Sequence, residues 1–453
     1  MHDLSVTLVA VATPPGRGGI GCVRISGPAA REVSRRLFRP QRESEERPDG
    51  CPRFGRFLGR DARAVDHGYL VTFEQGASFT GETTAELWTH GSPAVLAELI
   101  EAAVAVGASP AGPGEFTYRA LRHGRLDLVR AEAIRDLIAA RTLYQARVAF
   151  SQTEGALSRR LAALREALVD LIVRGEAAVE FGEEADVHLS AGQLQRGIGF
   201  AKEDCAALLS GFRAGRVVRE GATVAITGMP NVGKSSIFNR LLERDRAIVS
   251  ASPGTTRDTL EEVLDFAGIP VRLVDTAGLR EVEDPVEQEG VRRARQAGGE
   301  ADLVLLVLDG SRPLEPIERE AIREAENEVE CARTMVIVNK KDLSEGVWFP
   351  SANLHISALT GEGVGAIKDR LRERLVGAGP LEPPILTDAR HAHCLEETRA
   401  ALDRAESSAA AGFPEEIVLE DLREAIRLLG MITGEFAADD LYQRIFSTFC
   451  IGK

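Results

Sequence analysis

The sequence predicts a multidomain chain of mixed α/β and α+β class, with an α+β domain at the N-terminus and an α/β domain inserted into a helical one. Three observations lead there. Short β-branched runs between glycine and proline clusters fill residues 1–118, helical periodicity occupies two separated stretches, and alternating strands and helices lie between those stretches. The boundaries this implies are 1–118, 119–218, 219–380 and 381–453, with the second and fourth segments forming one helical domain. A length of 453 residues exceeds what one hydrophobic core organises. Hydrophobic residues at 44% and charged residues at 27% exclude disorder, a fibrous repeat and a disulfide-built mini-scaffold.

In the first segment, Thr7–Val11, Gly21–Ile25 and Gly68–Phe73 read as strands, punctuated by Pro14-Pro15-Gly16 and Gly18-Gly19. Residues 42–50 read as an exposed loop and residues 93–106 as a helix. From Leu126 to Phe181 the period becomes helical, with Leu126, Val129, Ala133, Leu137 and Ile138 on one face. A second face carries Leu157, Leu161, Leu164, Leu168 and Ile172. From Arg219 onward five strands alternate with helices: Thr223–Ile226, Val271–Val274, Leu303–Leu308, Thr334–Val338 and Leu354–Ile356. Helical patterning returns in Ala392–Ala410 and Leu419–Leu429. The helices on the two sides of the α/β block each carry an apolar face without a sheet to cover, so they are expected to pack on one another.

The longest unbroken aliphatic run, Leu303–Leu308, is too short to cross a bilayer, and Met1-His2-Asp3 begins no secretory pattern. Six cysteines without C-x-x-C spacing fit reduced thiols, so a cytoplasmic location is expected. A net charge of −14 argues against a general polyanion-coating protein. Residues 117–174 nevertheless hold eleven arginines against six acids, the best candidate for an RNA footprint in an acidic chain.

The α/β block carries the chemistry. Gly228-Met229-Pro230-Asn231-Val232-Gly233-Lys234-Ser235 lies between a strand and a helix, the setting a phosphate-binding P-loop requires. Backbone amides of Asn231, Val232, Gly233 and Lys234 and the helix start, with Ser235 and Ser236, would surround the phosphates. Lys234 would neutralise the β- and γ-phosphates, and the Ser235 hydroxyl would ligate Mg²⁺. Asp275-Thr276-Ala277-Gly278 ends the second strand of the block, and Thr256 of Gly254-Thr255-Thr256-Arg257-Asp258 is the natural second Mg²⁺ ligand. Asn339-Lys340-Lys341-Asp342 ends a later strand, where Asp342 would accept two donors from the edge of guanine, and Ser357-Ala358 would support the same base. Together these motifs specify a GTP site in a Ras-like P-loop G domain, and Asn339 with Asp342 disfavours ATP. Leu279 stands where a water-orienting glutamine would be expected, which directs attention to the acidic segment Glu281–Glu289.

The chain also resembles the tRNA-modification GTPases of the MnmE (TrmE) family along its whole length. The resemblance is carried by Ala12–Gly21, Arg24-Ile25-Ser26-Gly27, Ser78-Phe79-Thr80-Gly81-Glu82, Glu86-Leu87, His90-Gly91, Pro113-Gly114-Glu115-Phe116, Gly254–Asp258 and the terminal Phe449-Cys450-Ile451-Gly452-Lys453. It implies a folate-binding-like, dimer-forming N-terminal domain. It further implies a homodimer joined in a heterotetramer to an FAD-containing protein of the MnmG (GidA) family. The expected reaction installs an aminomethyl or carboxymethylaminomethyl group at C5 of the wobble uridine of certain tRNAs. A tetrahydrofolate derivative, 5-formyl or 5,10-methylene, would supply the carbon. The resemblance implies K⁺-stimulated hydrolysis with the ion at Asn231, Ser250, Ser252 and Thr255, and it makes Glu287 the water-orienting carboxylate. Ser250 and Thr255 join the GTP contacts. Arg24, Glu86, Arg125 and Lys453 are implied as folate contacts, with Arg125 standing where relatives usually carry lysine, a change that keeps charge and alters geometry. Cys450 is a candidate nucleophile toward uridine C6, beside the plainer reading of a packed cysteine; its C-terminal context does not fit a lipidation box. His90 and His123 are weaker acid–base candidates beside glycine turns. A regulatory GTPase switch with a partner-binding N-terminal domain is the competing reading, and folate binding separates the two.

Overall fold

Two β-rich stretches of the chain each close into a sheet, and the computed structural model describes residues 3–42, 48–181, 191–245, 263–275, 301–327, 333–343, 352–378 and 383–452. They lie in two compact units. One comprises Met1–Arg135, Gln152–His188 and Leu419–Lys453; the other comprises Asp136–Ser151 and Leu189–Val418.

In the first unit, β1 (Leu8–Val11), β2 (Gly18–Ser26), β3 (Phe38–Pro40), β4 (Arg53–Leu58), β5 (Ala64–Phe73), β6 (Thr84–Gly91) and β7 (Ser109–Pro110) form a sheet in the order β3-β4-β5-β6-β2-β1-β7. Helices α1 (Ala30–Leu37) and α2 (Pro93–Ala105) cover it, burying Val33, Leu37, Leu96 and Leu99 against Val23, Ile25, Phe57, Leu70 and Leu87. Of these elements β3, β4, β6, β7 and α1 go beyond the sequence reading. The first strand begins at Leu8, and those at Gly21 and Gly68 extend to Gly18–Ser26 and Ala64–Phe73.

Helix α3 (Glu115–Arg122) holds Arg119 fully buried, with Nη1 3.0 Å from both carboxylate oxygens of Glu82. Ser26 donates to Glu82 Oε2 at 2.8 Å, so the acid is neutralised and hydrogen-bonded, as a buried charge must be. α4 (Leu128–Ala139) buries Leu128, Val129, Ala131, Glu132 and Ala133, whereas Ile138 lies exposed, correcting the face read for it. α6 (Ala156–Phe181) buries the expected Leu157, Leu161, Leu164, Leu168 and Ile172. Against it lies α13 (Glu415–Thr433), joined by Arg423–Glu176 at 2.7 Å. α14 (Asp439–Phe446) packs Phe446 on Tyr118 with ring centroids 5.5 Å apart.

The second unit is built on β8 (Ala222–Thr227), β9 (Val263–Phe266), β10 (Ile269–Asp275), β11 (Leu303–Asp309), β12 (Thr334–Asn339) and β13 (Leu354–His355), ordered β13-β12-β11-β8-β10-β9. All pairs are parallel except β9–β10, the one strand pair here joined by a two-residue hairpin. Helices α9 (Lys234–Asp245), α10 (Pro316–Ala325) and α11 (Val364–Val376) accompany the strands. Continuous aliphatic strands such as Leu303–Leu308 fit a sheet covered on both faces. α5 (Leu143–Thr153) begins in this unit, which also holds α7 (Ala191–Ser210), α8 (Phe212–Glu220) and α12 (Ala389–Ala410). α7 pairs with α12 through Lys202, which reaches Asp403 at 2.6 Å and Glu406 at 2.5 Å. Helices from before and after the α/β insertion therefore do pack pairwise.

Candidate GTP and N-terminal sites

β8 runs centrally between β10 and β11 and delivers the P-loop to the start of α9. Asn231 adopts φ 65, the left-handed conformation that lets the loop turn tightly before the helix. Lys234 is buried, and its Nζ donates to the carbonyls of Gly228 and Met229 at 2.9 Å each, which holds the ammonium over the loop. Ser235 and Ser236 are exposed in the first helical turn, with Ser235 accessible to a metal.

Asn339, buried at the end of β12, ties the two halves of the site together. Its Nδ2 donates to Val232 O at 2.9 Å, and its Oδ1 accepts from Ala358 N at 2.9 Å. This approach requires glycine at 233, where a Cβ would stand 2.2 Å from Asn339 Nδ2. Ser357 is fully buried, and its Oγ accepts from Thr360 N at 3.1 Å, closing the loop. Asp342 lies exposed in a 3₁₀ turn, Lys341–Leu343. Asp275 ends β10 in register with Ile226. Ser250, Ser252, Thr255, Thr256, Thr276, Ala277, Gly278, Glu287 and Lys453 lie outside the described residues.

In the other unit, the register of β2 on β6 sets Arg24 opposite Glu86. Arg24 Nε and Nη2 reach Glu86 Oε1 at 3.0 and 2.9 Å, while Trp88 Nε1 donates to Oε2 at 3.2 Å. The guanidinium carbon stands 5.9 Å from the Phe79 ring centroid and 5.8 Å from that of Phe116. The chain end comes to the same place: Gly114 N donates to Cys450 O at 3.3 Å, Pro113 bridges to Ile451, and Arg24 Nη1 lies 3.5 Å from Gly452 O. Arg125 follows α3 and packs beside Gly81, its Cγ 3.3 Å from where a Cβ there would stand. Cys450 is exposed. His123 Nδ1 is bonded to Arg119 O at 2.9 Å, and His90 Nδ1 to Asp66 at 2.8 Å.

Residues 128–450 match the family model described as the MnmE helical domain, and residues 7–125 match that of the GTP-binding protein TrmE N-terminus. The chain belongs to the MnmE family. It is 42% identical over 455 residues to the protein named tRNA modification GTPase MnmE of Koribacter versatilis, covering 100% of both chains. Proteins of the same name from Thermus thermophilus and Aquifex aeolicus are each 41% identical, over 459 and 457 residues; coverage is 100% of both chains for the first, and 98% of this chain and 99% of the relative for the second. MnmE membership and the P-loop geometry make this chain a GTP hydrolase. No helix among the described residues is long and apolar enough to cross a membrane.

This MnmE-family site also contains one residue that sequence reasoning passed over, Asp309, which partners the expected Lys340. Lys340 adopts φ 64, and its Nζ is held 2.6 Å from Asp309 Oδ2. Ser311 donates through N and Oγ to Asp309 Oδ1 at 2.9 and 2.6 Å. Burial raises the Asp309 pKa, but the bonds from Lys340 and Ser311 outweigh it and leave the carboxyl below its ordinary value. The only sequence signal was an Asp ending a continuous aliphatic strand, at the same level as Asn339 on the adjacent strand. A folded-state pKa below the unfolded one means that this stabilisation is fully present above about pH 4 and is lost as pH falls through the folded value. Asp309→Asn, which keeps the shape but loses the charge, is expected to weaken GDP binding at neutral pH about tenfold. Unchanged affinity in a nucleotide titration would show that the pair does not hold the base loop.

Proposed function

We propose that this chain is the GTP-hydrolysing, folate-using component of a complex that modifies tRNA at the wobble uridine. The observation that carries the reading is the convergence of Arg24, Glu86 and the segment Cys450–Gly452 at one place in a unit distinct from the GTP site. The partly buried Glu86 carboxylate, oriented by Arg24 and Trp88, suits the paired N–H donors of a pterin ring. Arg125 and Lys453 would attract the glutamate tail, and Phe79 offers a ring face beside Arg24. Bound folate would supply the one-carbon unit. The chain's part is to orient it with Arg24 and Glu86 and to present Cys450 as the candidate nucleophile toward uridine C6.

In the G domain, residues 219–380, Lys234 with Asn231, Val232, Gly233, Ser235 and Ser236 would hold the phosphates, and Ser235 and Thr256 the Mg²⁺. Asn231, Ser250, Ser252 and Thr255 would hold K⁺, whose charge offsets the negative charge developing at the β–γ bridge. Glu287 would orient the water. The N-terminal domain, 1–118, would bind folate and form the homodimer, and the helical domain would comprise 119–218 and 381–453. A cytoplasmic setting, tRNA as substrate and an FAD-containing MnmG (GidA) family partner complete the proposal.

GTP turnover is expected to be faster in KCl than in NaCl at equal ionic strength, with the difference lost in Asn231→Ala; equal rates in both salts contradict the K⁺ role. A calorimetric titration with 5-formyl-tetrahydrofolate is expected to show binding that Arg24→Ala weakens. Absence of binding by the wild-type chain would favour a regulatory GTPase switch.

A further inference from the structure

The turn joining β9 to β10 lies at the opposite end of β10 from the nucleotide site, yet it is held in place. Ala267 and Gly268 have φ 52 and 96, the pair of positive values of a tight hairpin turn. Thr142 Oγ1 donates to Gly268 O at 2.6 Å, and Thr142 is buried. A Cβ on Gly268 would stand 2.6 Å from Tyr144 Cβ, so the turn and the first turn of α5 touch without spare room.

The same threonine is built into the helix start. Its Oγ1 accepts from Gln145 N at 3.1 Å, and Gln145 Oε1 returns bonds from Arg141 N at 2.8 Å and Thr142 N at 3.2 Å, a reciprocal cap. Gln145 Nε2 then donates to Arg219 O at 3.0 Å. Arg219 is the penultimate residue of α8, three positions before β8 begins, and its guanidinium is clamped by Asp136 at 2.7 Å and Asp388 at 2.6 Å. One corner, Thr142 with Gln145, is thus bonded to the entry of both strands that lead to the nucleotide. β8 runs from there into the P-loop, and β10 runs in register beside it to Asp275, about 23 Å away at some 3.3 Å per residue.

We propose that Thr142 is a positioning residue for GTP hydrolysis. It acts through the β9–β10 hairpin: by fixing the turn, it sets how β10 lies beside β8 up to Asp275, where the strand ends in register with Ile226. One hydroxyl donates its proton to Gly268 O and accepts from Gln145 N through a lone pair, so a single side chain ties the helix start to the hairpin. By reciprocity, a nucleotide that moves β10 pulls on the α5 start, which gives the helical segment a reading of the GTP state.

The test compares Thr142→Asp, Thr142→Val and Thr142→Ser in the full-length chain. Aspartate keeps an acceptor for Gln145 N but has no proton for Gly268 O; valine loses both bonds; serine keeps both. GTP turnover in KCl is expected to fall about tenfold in the Asp and Val variants, with GDP affinity within about twofold of wild type, and to be retained in Ser. Thermal unfolding should match wild type for Ser and fall furthest for Val, which loses the cap. Wild-type turnover in Thr142→Asp would overturn the proposal. So would a loss of turnover in Thr142→Val that matches its loss of GDP affinity, because the contact would then be an anchor for folding alone.

Discussion

The nucleotide unit depends on the bridge made by the Asn339 carboxamide. One side chain donates to the carbonyl of Val232 and accepts from the amide of Ala358, so the loop after β8 and the loop after β13 share one rigid reference. Its geometry follows from the sheet. β12 must end level with β11, which places Asn339 opposite Asp309, and the loop on the neighbouring β8 must carry glycine at 233 to let the amide approach. Lys340, forced to positive φ immediately after Asn339, is then steadied by Asp309. A parallel sheet supplies this arrangement because its strands all deliver their loops at the same edge.

The N-terminal unit uses one type of interaction in two ways. Arg119 and Glu82 are buried, with Ser26 completing the carboxylate's hydrogen bonds, so this pair fixes α3 against the loop before β6. Breaking such a pair leaves a charge in a dry place, which costs several kcal/mol. Arg24 and Glu86 form the same kind of pair but are only partly buried, between aromatic rings and beside the chain end. Degree of burial, rather than residue type, separates the two pairs.

Five strands of the second unit were legible because continuous aliphatic runs bounded by glycine or polar loops are rare outside buried parallel sheets. β9 was not, since Val263-Leu264-Asp265-Phe266 is short and gains its strand character only by pairing with β10. In the first unit β6 was missed because Thr84 and Thr89 turn inward and blur the alternation, and α1 because eight residues with four charges carry only a narrow apolar stripe. The P-loop and the Asn339–Asp342 motif were legible because phosphate and guanine chemistry demands fixed residue types at fixed spacing. The contact of Asp309 with Lys340 and the turn held by Thr142 were not, because each joins residues that only the fold brings together. The pairing of Arg24 with Glu86 was likewise hidden, because strand register alone sets them opposite each other.

The proposed dependence of wobble-uridine chemistry on GTP turnover is open to mass spectrometry of tRNA nucleosides from cells lacking this gene, complemented with the wild-type chain or with Lys234→Ala. The expected result is loss of C5-aminomethyl-type wobble uridines, restored by the wild-type chain and not by the variant. Wobble uridines that are unchanged by the deletion, or fully restored by Lys234→Ala, would contradict it.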